Sequence, residues 1–265
     1  MAAFRAACMG DLDAVKSCLE GVDAMDINEV DEDVPYATGF TLLSCAAGGD
    51  PHQGRLEGHL DVARYLLSRG ADIHFRDEEN GETALIVACA PRRKPDEYRE
   101  EMVDLLLRAG AAPNARSIYG YTPLGRLLEK AGSPLFGECI GSVRSLLRAG
   151  ASLDLCGQRD EADRTDVDIS AEKILDIREQ ELRGFSGRHI PVNFGEFTAV
   201  KNLVTGVRAA GSFKLYCRIE HQTILRLRSL AARKRATTKN ALLARIVRLP
   251  NGPCWKVLSY WRATE

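Results

Sequence analysis

Leu66-Leu67-Ser68-Arg69-Gly70-Ala71 occurs twice more in nearly the same form, as Leu106-Leu107-Arg108-Ala109-Gly110-Ala111 and Leu146-Leu147-Arg148-Ala149-Gly150-Ala151. The three glycines stand 40 residues apart. A unit that recurs at fixed spacing cannot bury its apolar face alone, so the copies must stack and cover one another. The function of such a chain belongs to the surface of the stack.

Upstream of each glycine lies a second shared phrase: Gly39-Phe40-Thr41-Leu42-Leu43-Ser44, Gly81-Glu82-Thr83-Ala84-Leu85-Ile86 and Gly120-Tyr121-Thr122-Pro123-Leu124-Gly125. Each reads as a turn entering a helix. Glycine supplies the positive φ, threonine accepts the orphan N–H groups of the first helical turn, and Pro123 sits where a missing N–H costs nothing. A first helix follows, carrying small residues such as Ala46-Ala47 and Ala88-Cys89, and a second ends in Leu-Leu-x-x-Gly-Ala with glycine as a left-handed stop.

This pattern, opened by G-x-T-P-L and closed by L-L-x-x-G-A-D-x-N, resembles the ankyrin repeat, whose period is about 33 residues. Ala71-Asp72-Ile73-His74 and Ala111-Ala112-Pro113-Asn114 fit the closing segment, and Gly10-Asp11-Leu12 through Asp26-Ile27-Asn28 resembles an N-terminal half-capping copy. About four copies thus cover residues 1–156. The resemblance implies an all-α ankyrin solenoid of helix-turn-helix units with β-turn fingers, followed by a helical C-terminal cap or tail. Two departures stand out. Leu42 and Ala84 replace the proline, while Ser44, Ile86 and Gly125 replace the histidine that ties neighbouring turns, so stability per repeat should be below average. The longer period places roughly seven surplus residues between the two helices of each copy. They fall around Pro51, Pro91 and Pro134, as loops on one edge of the stack.

Beyond residue 156 the signature fades. Gln158 to Asp168 is a polar run that reads as a linker or extended finger. Two helices are expected next, Ala171 to Arg183 with Gly184 as its stop, and Phe197 to Ala210 with Val200, Leu203, Val204 and Val207 on one face. Residues 157–212 therefore read as a degenerate fifth repeat or cap. The net charge of −1 hides a split: residues 200–265 hold 14 Lys/Arg against Glu220 and Glu265 alone, and residues 1–199 hold 22 Lys/Arg against 35 Asp/Glu.

The basic tail, residues 213–265, alternates Leu215, Ile219, Ile224, Leu225, Leu227 and Leu230 with arginines, as a basic amphipathic cap would. Leu225-Arg226-Leu227-Arg228-Ser229-Leu230 and Leu249-Pro250 also carry a resemblance to the SOCS box of ubiquitin-ligase adaptors. That resemblance implies elongin and cullin partners, although no cysteine follows the first leucines at the family's spacing. An F-box-like alternative needs about twice the remaining chain. Arg233-Lys234-Arg235 with Lys239 would serve as a nuclear-import patch or as solvated helix surface. The absence of RRM, zinc-finger or helix-turn-helix patterns argues against nucleic-acid reading; any such contact would be electrostatic and salt-sensitive.

A composition of 45% apolar and 28% charged residues suits a chain with a real core. No secretory pattern is visible at Met1 to Cys8, and the apolar stretch Ala84 to Ala90 is too short for a bilayer, so a cytoplasmic or nuclear protein is expected. The eight cysteines approach no zinc spacing, and Cys8, Cys45 and Cys89 fall at small apolar helix positions. No phosphate-loop, dinucleotide or metalloprotease motif occurs. His59, in Gly58-His59-Leu60-Asp61, reads as structural, and Gly137-Glu138-Cys139-Ile140-Gly141 lacks the preceding strand of a nucleophile elbow. The expectation is a non-enzymatic protein with no cofactor, no metal and no catalytic residue.

In the ankyrin family, partners bind the concave face formed by finger tips and first helices. By motif position, the residue between glycine and threonine points into that groove: Phe40, Glu82 and Tyr121. Neighbouring fingers add Tyr36, Glu78, Glu79 and Tyr119, with Asp31-Glu32-Asp33 and Asp77-Glu78-Glu79 as solvated tips. Aromatics beside carboxylates suit a partner segment bearing apolar anchors and lysine or arginine.

Overall fold

The repeated threonines do cap helices. In the computed structural model of the chain, the Ser44 N–H donates to Thr41 Oγ1 at 3.3 Å, Ile86 N–H to Thr83 at 3.4 Å and Gly125 N–H to Thr122 at 3.1 Å. These caps open α3 (Leu42–Gly48), α5 (Ala84–Cys89) and α7 (Pro123–Leu128). The repeated glycines stop α4 (Glu57–Ser68), α6 (Arg99–Arg108) and α8 (Ile140–Arg148). Gly70, Gly110 and Gly150 have φ of 90°, 100° and 91°. At each, the following alanine N–H returns to the first leucine carbonyl, as Ala71 to Leu66 at 3.0 Å, Ala111 to Leu106 at 3.0 Å and Ala151 to Leu146 at 2.9 Å. That is the Schellman geometry, which satisfies carbonyls the helix end would leave orphaned.

The structure describes residues 2–20, 24–30, 39–49, 57–90, 98–133, 136–159, 166–167, 169–186 and 192–219, with residues 222 and 229. Tyr36, the loops around Pro51, Pro91 and Pro134, and the tail segments from Leu225 and Leu249-Pro250 to Trp261 lie outside them. An additional helix pair, α1 (Ala2–Met9) and α2 (Leu12–Glu20), precedes the three full copies. A further pair, α9 (Ala171–Ser186) and α10 (Phe194–Ala210), follows them. Residues 1–204 form one compact unit and residues 205–265 a second.

Within the first unit the helices pack in two rows, α1, α3, α5, α7 and α9 in one and α2, α4, α6 and α8 in the other. The helices α3 and α5 are buried along their whole length, which is why they are short and rich in alanine and cysteine. Cys45 and Cys89 are buried cysteines. Small residues let backbones touch: a Cβ on Gly58 would stand 2.3 Å from the Gly10 carbonyl oxygen, and one on Gly125 would stand 2.2 Å from that of Cys156. His59 is buried with Nε2 2.8 Å from the Cys8 carbonyl, tying α4 back to the first pair, as a structural histidine should.

Past the third copy, Gln158–Arg159 (β1) and Asp166–Val167 (β2) pair antiparallel, the extended-finger alternative for this polar run. Ala171 N–H donates to Leu153 O at 2.7 Å and Arg178 Nε to Ala131 O at 3.1 Å, so α9 docks on the third copy. Gly184 does not stop α9, contrary to the sequence expectation. Its φ is not positive, a Cβ there would meet nothing within 4 Å, and the helix runs on to Ser186. In the second unit, Gly211 ends α10 at a φ of 83°, residues 213–219 are helical, and the Phe213 and Tyr216 rings lie 6.4 Å apart.

Candidate functional site

The fingers are built hairpins. In the second, the buried Asp77 carboxylate accepts the Asn80 N–H at 2.5 Å and the Glu82 N–H at 2.7 Å, while Asp77 N–H donates to Glu82 O at 3.1 Å. Asp77 is thus not a solvated tip residue but the polar staple of the turn, and only Glu78 and Glu79 are exposed. The third finger repeats the device with Ser117, whose hydroxyl accepts the Tyr121 N–H at 3.1 Å. Ile118 N–H donates to Asn80 O at 2.8 Å across the two fingers. Arg76 Nε donates to Gly81 O at 3.2 Å and its guanidinium also reaches Arg116 O. These bonds tie adjacent turns where the missing histidine would have done so, and they make the finger row a pre-organised surface.

Of the expected binding residues, Phe40 is half-buried, and Glu78, Glu79 and Tyr119 are exposed. Ile118 beside Tyr119 is also exposed, at 47%. Glu82 and Tyr121 are brought together by Arg126. The Arg126 guanidinium lies 4.1 Å from the Tyr121 ring centroid and pairs with the Glu82 carboxylate. Glu82 is only 7% exposed, so its charge is spent inside the protein and it offers no free carboxylate to a partner. The reason is the stack itself, which sets Arg126 of one copy against the turn of the copy before.

Sequence reasoning missed the continuation of this face onto α9. A cleft of about 200 Å³ lies between α7 and α9, lined by Tyr121, Glu129, Lys130, Ile174, Ile177, Arg178 and Glu181. Arg126, Glu129 and Lys130 recur at helical spacing along leucine-rich α7 and the turn that ends it, which was the available signal. Ile177 is 43% exposed. Arg178 is buried and its charge is answered by Glu181 at 2.8 Å. Burial pushes the Glu129 carboxyl above the usual carboxylate range, with Arg126, Lys130 and Arg178 pulling it down and Glu181 pushing it up.

A carboxyl raised on folding is one whose ionised form the fold disfavours, so Glu129 destabilises the protein above its unfolded pKa. Glu129→Gln should therefore raise Tm at pH 7, and the gain should fade as acidification protonates the wild-type side chain. Calorimetry across that range checks it; a lower Tm at neutral pH, or a gain independent of pH, would contradict it.

Stacked helix pairs with braced fingers define a solenoid scaffold. A family profile of ankyrin repeats, in three copies, matches residues 3–117 and 52–155. The chain belongs to the ankyrin-repeat family, whose repeats are protein–protein interaction modules. It is similar to the ankyrin repeat and KH domain-containing protein mask-1 of Caenorhabditis elegans, 37% identical over 73 residues, which cover 28% of this chain and 2% of that protein. It is also similar to ankyrin repeat and SOCS box protein 16 of Mus musculus, 37% identical over 123 residues, 46% of this chain and 24% of that protein. The matched stretch thus spans under a quarter of either relative's length. No helix among the described residues is long and apolar enough to cross a membrane.

Proposed function

We propose that this protein is a non-catalytic binding module that captures a partner protein along its finger row and inner helices. The observation that carries this is the exposed apolar pair Ile118 and Tyr119, beside half-buried Tyr121, on fingers locked by Asp77, Ser117 and Arg76. Rigid exposed aromatics are the side chains that dominate interface energies, and exposed Glu78 and Glu79 beside them set encounter rate and partner selectivity. The partner segment accordingly carries apolar anchors flanked by lysine or arginine. Affinity purification with the full chain and with residues 1–212 should recover the same groove partner in both; its loss from the shorter chain would remove the groove proposal.

The alternative is a substrate-recognition adaptor of a cullin-type ubiquitin ligase. Its support is the leucine–arginine pattern from Leu225 to Leu230 with Leu249-Pro250, together with the similarity to a mouse protein whose name pairs ankyrin repeats with a SOCS box. Deleting residues 240–265 separates the two roles for the tail. A cap predicts a lower Tm with unchanged recruitment. An adaptor predicts loss of elongin or cullin from the co-purified material at unchanged Tm.

A further inference from the structure

We infer that the cleft between α7 and α9 is the anchor site for a lysine or arginine side chain of the partner segment, with its stem on Tyr121, Ile174 and Ile177 and its charge on Glu129. The inference rests on the proposed groove and gives one position of the partner its chemistry.

The lining carries two cations and two carboxylates, and of these carboxylates Glu129 alone makes no direct ion pair among the described residues. Arg178 donates to Ala131 O and pairs with Glu181, so both ionic groups on the α9 side are neutralised. Arg126, the nearest cation on α7, is held by Glu82 and the Tyr121 ring. Lys130 also lines the cleft and its charge helps lower the Glu129 pKa, but the two make no direct ion pair. Among the described residues no hydrogen bond or ion pair is made by the Glu129 carboxylate. It also sits at the C-cap of α7, where unpaired carbonyls already concentrate negative charge. A carboxylate so placed gains from a cation and from little else. The burial that raises its carboxyl is relieved when a cation arrives, because an opposite charge favours the ionised form.

Shape selects the same class of group. Beside Glu129 the lining is mixed: Tyr121, Ile174 and the exposed Ile177 supply apolar surface, and Lys130, Arg178 and Glu181 supply polar surface. Lysine and arginine are the side chains that combine a long apolar stem with a cationic tip. A cleft of about 200 Å³, open to one side, is smaller than the roughly 300–1,000 Å³ of pockets that enclose a whole small ligand. It suits one side chain reaching in from a chain that lies along the outside.

The test uses the full chain with isoleucine methyls labelled for NMR, titrated with N-propylguanidinium and, separately, with its neutral isostere N-propylurea. Saturable shifts at Ile174 and Ile177 are expected with the guanidinium probe. The urea should bind at least tenfold more weakly, and the Glu129→Gln protein should lose the guanidinium response while keeping its spectrum elsewhere. An equal response to both probes, or an undiminished guanidinium response in Glu129→Gln, would overturn the assignment. Because these probes touch neither Phe40 nor the finger tips, failure here leaves the groove to its own test with Phe40 and Tyr119 variants.

Discussion

Arg99→Met should cost roughly 3 kcal/mol or more of folding stability, the scale on which removing one member of a buried charged network acts. Arg99 is the first residue of α6, 1% exposed. Its Nη2 donates to Phe136 O at 2.7 Å, its Nη1 to Glu138 O at 3.4 Å, and its guanidinium lies 3.8 Å from the Phe136 ring centroid. Burial lowers its pKa, with Cys139, Cys89 and Glu196 pulling it back up. Glu196 itself accepts the Cys139 N–H, and together with burial it pushes the Cys139 thiol well above its usual range. Methionine would fill much of the volume but strand two carbonyls and remove the cation nearest the buried Phe136 ring. At about 2–4 °C per kcal/mol, Tm should fall by roughly 6–12 °C. Arg99→Lys should recover little, because an ammonium has no planar fork to span two carbonyls while stacking on a ring. A drop of about 1 °C in Arg99→Met would show that the network contributes nothing net.

Gly125→Ala should be nearly as damaging, at about 3 kcal/mol, the upper range for forcing an extra carbon into a packed interior. The added Cβ would stand 2.2 Å from the Cys156 carbonyl oxygen, a backbone atom that cannot step aside. Cys156 is pinned by its own N–H donating to Ile169 O at 3.1 Å. The finger that follows the third copy would have to lift off α7. Gly184→Ala supplies the contrast: that glycine is exposed, helical and open on all sides, so alanine there should stabilise by about 0.5–1 kcal/mol. Urea melts of the two variants should move in opposite directions; equal midpoints would contradict the packing account.

The parts of the fold written in local chemistry were legible in the sequence. The glycines at 70, 110 and 150 announce left-handed stops because almost any side chain is strained there, and Thr41, Thr83 and Thr122 announce caps because few residues accept those N–H groups. What stayed hidden joins residues far apart in sequence by charge. Arg99 carries no sign in the sequence of its contact with Phe136, 37 residues later. Glu82 reads as a groove carboxylate until Arg126, 44 residues later, claims it. Asp77 looks like one of three acidic tip residues, yet only its position relative to Asn80 and Glu82 makes it the staple. The cleft beside Glu129 needs α9, whose docking on α7 no repeat motif encodes. Gly184 misled for the converse reason, since a helix tolerates glycine wherever the cost is only conformational entropy.

The claim that the finger row captures a partner is tested most directly by the affinity of the purified partner for the Phe40→Ala, Tyr121→Ala double variant. Tyr121 also backs Arg126, so a thermal melt must first show the variant folded. In a folded variant, Kd should rise about thirtyfold or more, equivalent to a loss above about 2 kcal/mol. An unchanged Kd would place the binding surface elsewhere on the protein and remove the groove from the account.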